Sequence, residues 1–241
     1  MSLLTIVHTG DLHNSLNAKK ADRLRALRQE ADLLLDSGDA IGSGNIFFNP
    51  FGERAQSLMN RARYDAAAVG NREYHLNRYA MRCKLMRARF PHVSANYCWS
   101  EGRMFEDFEL FVIRNAEIYV FGLSNVNVSR DMKISRYAHQ YQNDPADRAE
   151  SMVLEIEQRP SREYTRVIIA LTHVGLETDK EIARRLEGRI DLILGGHSHD
   201  VCYGSVRGTH IVHSGCRGQF ATRLVYDTDA KKITSLERID I

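Results

Sequence analysis

Short apolar runs, each about as long as a β-strand, recur along the chain. They are Leu3–Val7, Ala31–Leu35, Ala66–Val69, Ile118–Leu123, Val167–Leu171 and Ile190–Leu194. Their hydrophobic residues are nearly continuous rather than alternating, which is typical of strands buried on both faces. Helical patterns lie between several of the runs, at Lys19–Glu30, Glu53–Arg63, Asp147–Glu157 and Asp179–Leu186. This alternation of strands and helices predicts an α/β fold.

No linker-like segment divides the chain into separate units. Its 241 residues fit one large domain or two small ones, and we expect a single domain over residues 1–241. The polar segment Ser129–Asp147 is predicted to be a loop or lid. The residues after Gly208 are predicted to form closely spaced strands without helices.

Composition and charge weigh against several classes of function. The formal net charge of +2 gives no whole-protein argument for binding nucleic acid or a membrane surface. No apolar run approaches the ~18 residues of a membrane span, and the N-terminal residues lack the basic start of a signal peptide. The four cysteines form no C-x-x-C pair, so a zinc ribbon or thioredoxin-like site is not expected. We therefore expect a cytoplasmic protein with reduced thiols and no membrane partner.

Side chains of the types that bind metals follow five of the apolar runs. In order, they are Asp11 and His13, Asp36 and Asp39, Asn71, His173, and His197 and His199. In α/β sheets, ligands bind just outside the carboxyl ends of the strands. A single histidine or aspartate in such a place is usually structural, and His213 fits either interpretation. The coincidence of five strand ends predicts that these groups converge on one site.

Taken in order, these motifs resemble those of the metallophosphoesterase, or calcineurin-like, superfamily. The series is Asp11-x-His13, Gly38-Asp39, Gly70-Asn71, His173 and Gly196-His197-x-His199. The segments MNRARYDAAAVGNRE, VSAN and VIIALTHVGLETDKEIARRLEGRIDLILGGHSH further resemble the catalytic domain of the 5′-nucleotidase and 2′,3′-cyclic nucleotide phosphodiesterase branch. The resemblance spans nearly the whole chain and implies a four-layer α/β/β/α sandwich.

The resemblance also implies a site for two divalent metal ions. Its implied ligands are Asp11, His13 and His199 for the first ion, Asn71, His173 and His197 for the second, and Asp39 bridging both. Imidazole and carboxylate donors suit manganese, zinc or iron rather than calcium. Such a pair activates a hydroxide that attacks phosphorus in line. We therefore expect a phosphoesterase acting on a phosphate monoester or diester, from a nucleotide or a small phosphorylated metabolite. Asp36, Glu73 and Asp200 are candidates for orienting the histidines.

One position departs from the pattern of the family. The third motif usually reads G-N-H-E, often followed by F-D, and its histidine is thought to protonate the leaving group. This sequence reads Gly70-Asn71-Arg72-Glu73-Tyr74-His75. Arginine cannot act as a general acid, because its pKa exceeds about 12, but its planar fork suits phosphate oxygens. We assign Arg72 and His75 as catalytic, with His75 transferring the proton, and Asn71 and Arg72 as substrate-binding.

The arginine at position 72 is also compatible with two further hypotheses. The substrate can have a good leaving group that needs little acid help, or the chain can be a metal-binding scaffold without catalysis. A nuclease using the same site is a third alternative. Eight basic residues between positions 61 and 89 permit it, whereas the near-neutral total charge argues against a nucleic-acid partner. The nucleobase-stacking C-terminal domain of nucleotidase-like proteins is expected to be absent, so the resemblance does not imply nucleotide specificity.

Overall fold

The structure is a computed structural model that describes residues 2–100, 102–161 and 164–241. Its strands are β1 (Leu3–Thr9), β2 (Leu33–Asp36), β3 (Ala66–Ala68), β4 (His92–Val93), β5 (Tyr97–Trp99), β6 (Phe108–Ile113), β7 (Ala116–Ser124), β8 (Gln140–Gln142), β9 (Thr165–His173), β10 (Leu192–Gly195), β11 (Val201–Val206), β12 (Thr209–Ser214), β13 (Phe220–Asp227) and β14 (Lys232–Asp240). Its helices are α1 (Ala18–Gln29), α2 (Arg54–Ala62), α3 (Arg78–Leu85), α4 (Lys133–Ala138), α5 (Pro145–Glu157) and α6 (Leu176–Leu186). None of these helices has the length and apolar character needed to cross a lipid bilayer.

Two six-stranded mixed sheets form the centre of the fold. The first has the strand order β14-β13-β1-β2-β3-β4, and the second has the order β11-β12-β10-β9-β7-β6. Strands β1 to β4 are parallel in the first sheet, and β7, β9, β10 and β12 are parallel in the second. Antiparallel pairs lie at one side of the first sheet and at both edges of the second, while β5 and β8 form a separate antiparallel ribbon.

The two sheets pack face to face, and helices cover their outer faces. In β1, Leu4 and Ile6 belong to the core between the sheets, whereas Val7 packs with residues of α1 and α2. In β9, Ile169 lies in the core between the sheets and Ile168 packs with residues of α5 and α6. Because both faces of these strands are covered, their sequences are apolar without alternation. The predicted four-layer α/β/β/α fold is confirmed.

The segment Ser129–Asp147 differs from its prediction as a loop or lid. It contains α4 and β8, and α5 begins at Pro145. Asp144 is the N-cap of α5, and its side chain accepts hydrogen bonds from the N–H groups of Ala146 and Asp147. Proline suits the first turn of a helix because the N–H that it lacks has no partner there. The strands predicted after Gly208 are present as β12, β13 and β14.

The carboxyl ends of β1, β2, β3, β9 and β10 meet at one edge of the two-sheet core. Contacts between loops of different sheets show this directly. The N–H of His197 donates to Asp11 Oδ2 at 2.9 Å, and His173 Nε2 lies 3.4 Å from Asp39 Oδ1. The polar residues that follow these strands in sequence therefore come together, as the sequence predicts.

Candidate metal centre

The loops after β1, β2 and β10 turn sharply as soon as each strand ends. Five of the predicted ligands have positive φ angles: Asp11 (50°), His13 (46°), Asp39 (58°), His197 (79°) and His199 (60°). Non-glycine residues rarely adopt this backbone conformation, which costs of order 1 kcal/mol or more each and is concentrated at functional sites. The first two loops are joined by backbone hydrogen bonds, from Asp11 N–H to Gly38 O and from His13 N–H to Asp39 O, each 2.9 Å long.

The first group of side chains contains Asp11, His13 and His199. His13 Nε2 lies 3.5 Å from Asp11 Oδ1, and His199 Nε2 lies 3.4 Å from the same oxygen. The two imidazole rings meet edge to face, with their centroids 4.8 Å apart. The side chain of Asp11 is buried, whereas 44% of the His199 side chain is exposed. The group therefore opens to solvent on the side of His199.

The second group contains Asn71, His173 and His197. Asn71 Oδ1 lies 3.2 Å from His173 Nε2 and 3.1 Å from His197 Nδ1. The two rings again meet edge to face, at a centroid distance of 5.1 Å. The Nδ1–H of His173 donates to the carbonyl oxygen of Ser37 at 2.8 Å. In the neutral ring, this bond fixes the tautomer and would leave Nε2 with a lone pair directed into the centre.

Asp39 lies between the two groups and presents one oxygen to each. Its Oδ2 is 3.5 Å from His13 Nε2, and its Oδ1 is 3.4 Å from His173 Nε2. The four histidines are thus paired in the way that the family pattern implies, with Asp39 in the place of the bridging carboxylate. All seven predicted ligand side chains are brought together.

The donor atoms of this centre fit divalent cations. Asp11 Oδ1 and His13 Nε2 are buried without a hydrogen-bond partner among the described residues, although buried polar atoms nearly always have one. Ligand atoms within 4.8 Å of one another come from Asp11, His13 and His199, and also from Asp11, Asp39 and His173. Asp11 belongs to both clusters. Imidazole nitrogens combined with carboxylate and amide oxygens form a donor set for transition-metal ions.

The carboxylates make the centre strongly attractive to positive charge. The neighbouring carboxylates of Asp11 and Asp39 raise the pKa of His13 to about 9. Burial lowers the pKa of His173, but Asp39 more than reverses this effect, and the pKa rises to about 9. Burial and the neighbouring His173 lower the pKa of His197. Ligating histidines must be neutral, so a bound cation would displace protons from His13 and His173.

Glu73 joins the loop after β2 to the loop after β3. Its buried carboxylate accepts hydrogen bonds from the N–H groups of Asp39 (2.9 Å), Ala40 (3.0 Å) and Gly70 (3.0 Å). Glu73 therefore orients the backbone that carries Asp39 rather than a histidine. Asp36, another residue predicted to support the site, accepts hydrogen bonds from the hydroxyl of Thr9 and the N–H of Gly38.

Arg72 lies beside the central carboxylate. Its Nε is 3.7 Å from Asp39 Oδ2, its backbone N–H donates to Asp39 Oδ1 at 2.7 Å, and one of its guanidinium nitrogens donates to Gly42 O at 3.1 Å. One third of its side chain is exposed (33%). The guanidinium group is therefore held at the edge of the centre with donors left for another ligand.

His75 is placed differently from the other predicted site residues. Its Nε2–H donates to Ile46 O at 3.2 Å, and its Nδ1 accepts from the N–H of Asn77 at 2.9 Å. Its ring also meets Phe48 edge to face. Among the described residues, the ring of His75 makes none of these contacts with a predicted metal ligand. Proton transfer by His75 stays a prediction, and its hydrogen bonds favour a role in anchoring the loop that contains Ile46.

The sequence does not assign a role to two buried side chains, Lys84 and His213. Lys84, in the last turn of α3, is buried behind the Arg72 loop, although lysine side chains are mostly exposed. His213 is also buried, and its Nε2 lies 2.8 Å from Asp179 Oδ2. His213 is therefore a structural residue, which decides the alternative that the sequence left open.

Comparisons with known proteins identify the family of this chain. The profile of the calcineurin-like phosphoesterase family matches residues 4–201. The trifunctional nucleotide phosphoesterase protein YfkN of Bacillus subtilis is 26% identical over 287 aligned positions, which cover 99% of this chain and 19% of YfkN. Protein UshA of Escherichia coli is 34% identical over 229 positions, which cover 83% of this chain and 41% of UshA. The chain thus spans less than half the length of these curated relatives.

Solved structures share the fold at low sequence identity. The 5′-nucleotidase precursor of Thermus thermophilus superposes with a TM-score of 0.78 at 23% identity, covering 100% of this chain and 54% of that one. Bacillus subtilis YfkN superposes with a TM-score of 0.75 at 18% identity, covering 99% of this chain and 90% of that one. The match over residues 4–201 decides the family. The chain belongs to the calcineurin-like phosphoesterase family.

Proposed function

We propose that this protein hydrolyses a phosphate ester of a nucleotide or another small phosphorylated molecule, with two divalent cations held by the seven side chains of the centre. The observation that carries the proposal is the position of Asp39, whose two oxygens face two separate histidine pairs. The names of relatives, among them a nucleotide phosphoesterase and a 5′-nucleotidase, favour a nucleotide substrate. The centre also opens to solvent at His199, where a substrate can enter.

Different side chains of this protein would have different roles in such a reaction. Bound divalent cations would act as Lewis acids toward the phosphoryl group and make a hydroxide nucleophile accessible near neutral pH. Asn71 would bind through Oδ1, which already faces His173 and His197. Its amide NH₂ group then remains free to donate to a phosphoryl oxygen, which accords with the predicted role of Asn71 in substrate binding.

Arg72 would stabilise the charge that develops on the phosphoryl oxygens. Its guanidinium group is fixed by Asp39 and Gly42 O, so its orientation is set before the substrate binds. Groups held in place in this manner are the most effective stabilisers of transition-state charge. Because arginine keeps its proton, the leaving group must take a proton from solvent or another residue, or must leave as an anion.

Metal binding and turnover can be tested on the same purified protein. Calorimetric titration of metal-free protein with Mn²⁺ is expected to give two ions per chain. Turnover is then measured on p-nitrophenyl phosphate, bis(p-nitrophenyl) phosphate, a nucleotide panel and an oligonucleotide. Asp39→Asn should weaken Mn²⁺ binding and abolish turnover, whereas Asp22→Asn, which alters an exposed ion pair with Arg61, should change neither.

The outcomes separate the alternatives. Two bound ions with turnover of nucleotides support the proposal. Two bound ions without turnover of any substrate would contradict it and favour the scaffold, for which the arginine at position 72 is the specific observation. Preferential cleavage of the oligonucleotide would contradict the small-substrate proposal and favour a nuclease. Failure to bind Mn²⁺, Zn²⁺ or Fe²⁺ would overturn the metal site itself.

A further inference from the structure

A buried lysine lies directly behind the loop that carries Arg72. Lys84 has 0% of its surface exposed, and its Nζ donates to three main-chain carbonyl oxygens. These are Gly44 O (2.9 Å), Arg72 O (2.6 Å) and Tyr74 O (2.8 Å). Lysine has three donors, so all of them are used. Lysine is almost never fully buried unless it is paired, so this position needs a specific explanation.

The three carbonyl groups belong to two different loops. One is the motif loop, residues 70–75, and the other is the aromatic loop, residues 42–52, whose Phe47 and Phe51 side chains are 75% and 77% exposed. Two further bonds join the loops, from Arg72 to Gly42 O and from His75 to Ile46 O. Of the three side chains that make these connections, Lys84 alone is fully buried.

Lys84 and Glu73 bind backbone groups of opposite polarity in the same part of the chain. The Glu73 carboxylate collects three backbone N–H groups from the loops after β2 and β3, and the Lys84 ammonium collects three carbonyl groups from residues nearby. Hydrogen bonds to charged groups are about twice as strong as neutral ones. Burial lowers the pKa of Lys84 to about 8, and Glu73 and Glu53 oppose this shift. The three carbonyl acceptors require three N–H donors, which the ammonium form supplies.

We propose that Lys84 is a positioning residue that holds the motif loop against the aromatic loop and thereby fixes Arg72 at the edge of the metal centre. The carbonyl of Arg72 is one of the three acceptors of Lys84. Lys84 therefore restrains the carbonyl group of Arg72, and Asp39 restrains its N–H group. Loss of the ammonium group would free both loops and leave three buried carbonyl groups unpaired.

Hydrogen–deuterium exchange tests this role without any use of activity. In Lys84→Met, peptides from residues 42–52 and 70–77 are expected to exchange at least about tenfold faster, while peptides from α5 keep the wild-type rate. Lys19→Met, which changes an exposed lysine on α1, is the matched control. Wild-type exchange in both loops, or equal acceleration of the whole chain, would overturn the proposal.

Lys84→Gln provides a second variant in case Lys84→Met does not fold. Its neutral amide can satisfy part of the three-carbonyl socket, so the two loops should exchange at rates between those of the wild type and those of a fully released loop. Exchange of both loops at the wild-type rate in this variant would show that the ammonium group is not needed, and would overturn the proposal.

A kinetic test of the link to Arg72 rests on the proposed phosphoesterase activity. Lys84→Met and Arg72→Met should each lower kcat, and the double variant should lose little more than Arg72→Met alone, because both act through one guanidinium group. Multiplied losses in the double variant would contradict the link. Absence of turnover in the wild-type protein would contradict the proposed function, while the exchange measurement would still decide the role of Lys84.

Discussion

At the scale of single residues, the third motif is where this chain departs from its family. Arg72 stands in the position of a histidine that can release a proton, and its guanidinium group lies 3.7 Å from Asp39. Arginine offers a permanent charge and several donors, but no proton to transfer. We therefore propose an electrostatic role for Arg72, with any proton transfer made by another residue or by solvent.

The Arg72 guanidinium should matter for turnover but not for metal binding. Arg72→Met removes the charge beside Asp39 without removing a ligand, so kcat is expected to fall by roughly 10²–10³-fold. Mn²⁺ stoichiometry, measured by calorimetry, should remain two ions per chain. A variant with unchanged kcat would show that the guanidinium group does not contact the transition state.

The substitution His75→Ala distinguishes a role in anchoring a loop from a role as a general acid. If it donated the proton, His75→Ala would lower kcat by about 10²–10⁴-fold. Since both of its ring nitrogens are bonded to backbone groups of Ile46 and Asn77, we expect a loss of less than about tenfold. The pH–rate profile of the variant is measured beside that of the wild type. Loss of its alkaline limb together with a large fall in kcat would instead establish His75 as the general acid.

At the scale of elements, the strand ends and the four helices α1, α2, α5 and α6 were predictable from the sequence, whereas the segment Ser129–Asp147 was not. The seven candidate ligands follow apolar runs, and parallel strands bring their carboxyl ends to one edge, so the site could be inferred before the structure. The same reasoning failed for Ser129–Asp147, because a polar surface helix and a short ribbon strand have no strong hydrophobic pattern. It also missed Lys84, since burial of a charge depends on contacts between residues far apart in sequence.

The close approach of the loops after β2 and β3 depends on a glycine. A Cβ atom on Gly70 would lie 2.5 Å from the backbone nitrogen of Asp39 and would overlap its Oδ1. Gly70→Ala is therefore expected to lower the free energy of unfolding by about 1–3 kcal/mol and to weaken Mn²⁺ binding. Urea denaturation and calorimetry measure the two effects.

Gly204→Ala is the matched control for this substitution. Gly204 lies in β11, has no heavy atom within 4 Å of an added Cβ and does not have a positive φ. Its replacement should change the free energy of unfolding by no more than about 0.5 kcal/mol. Equal effects of the two substitutions would contradict the steric explanation.

At the scale of the whole molecule, the candidate metal centre joins the two sheets. Asp11, His13, Asp39 and Asn71 come from loops of the first sheet. In the second sheet, His173 is the last residue of β9, and His197 and His199 come from the loop after β10. A second polar contact between the sheets is buried nearby. His8 of β1 has 0% of its surface exposed, and its Nδ1 lies 2.7 Å from Ser214 Oγ of β12.

Protonation of His8 should make the protein less stable in acid. Burial, with a smaller effect of His213, lowers the pKa of His8 to about 3 from 6.5. Between these values the unfolded chain binds a proton that the folded protein excludes, so the free energy of unfolding decreases as pH falls from about 6.5 toward 3. Urea denaturation of metal-free protein at pH 7.5 and 4.5 should show a smaller decrease in His8→Gln than in the wild type. An identical decrease in both proteins would rule out His8 as a source of acid sensitivity.

Anomalous diffraction from crystals grown with Mn²⁺ would show directly whether two cations share Asp39. We predict two peaks about 3.5–4 Å apart, one contacting Asp11, His13 and His199, the other contacting Asn71, His173 and His197, with Asp39 contacting both. One peak alone, or two peaks of which either lacks contact with Asp39, would contradict the dinuclear centre on which the proposed hydrolysis depends.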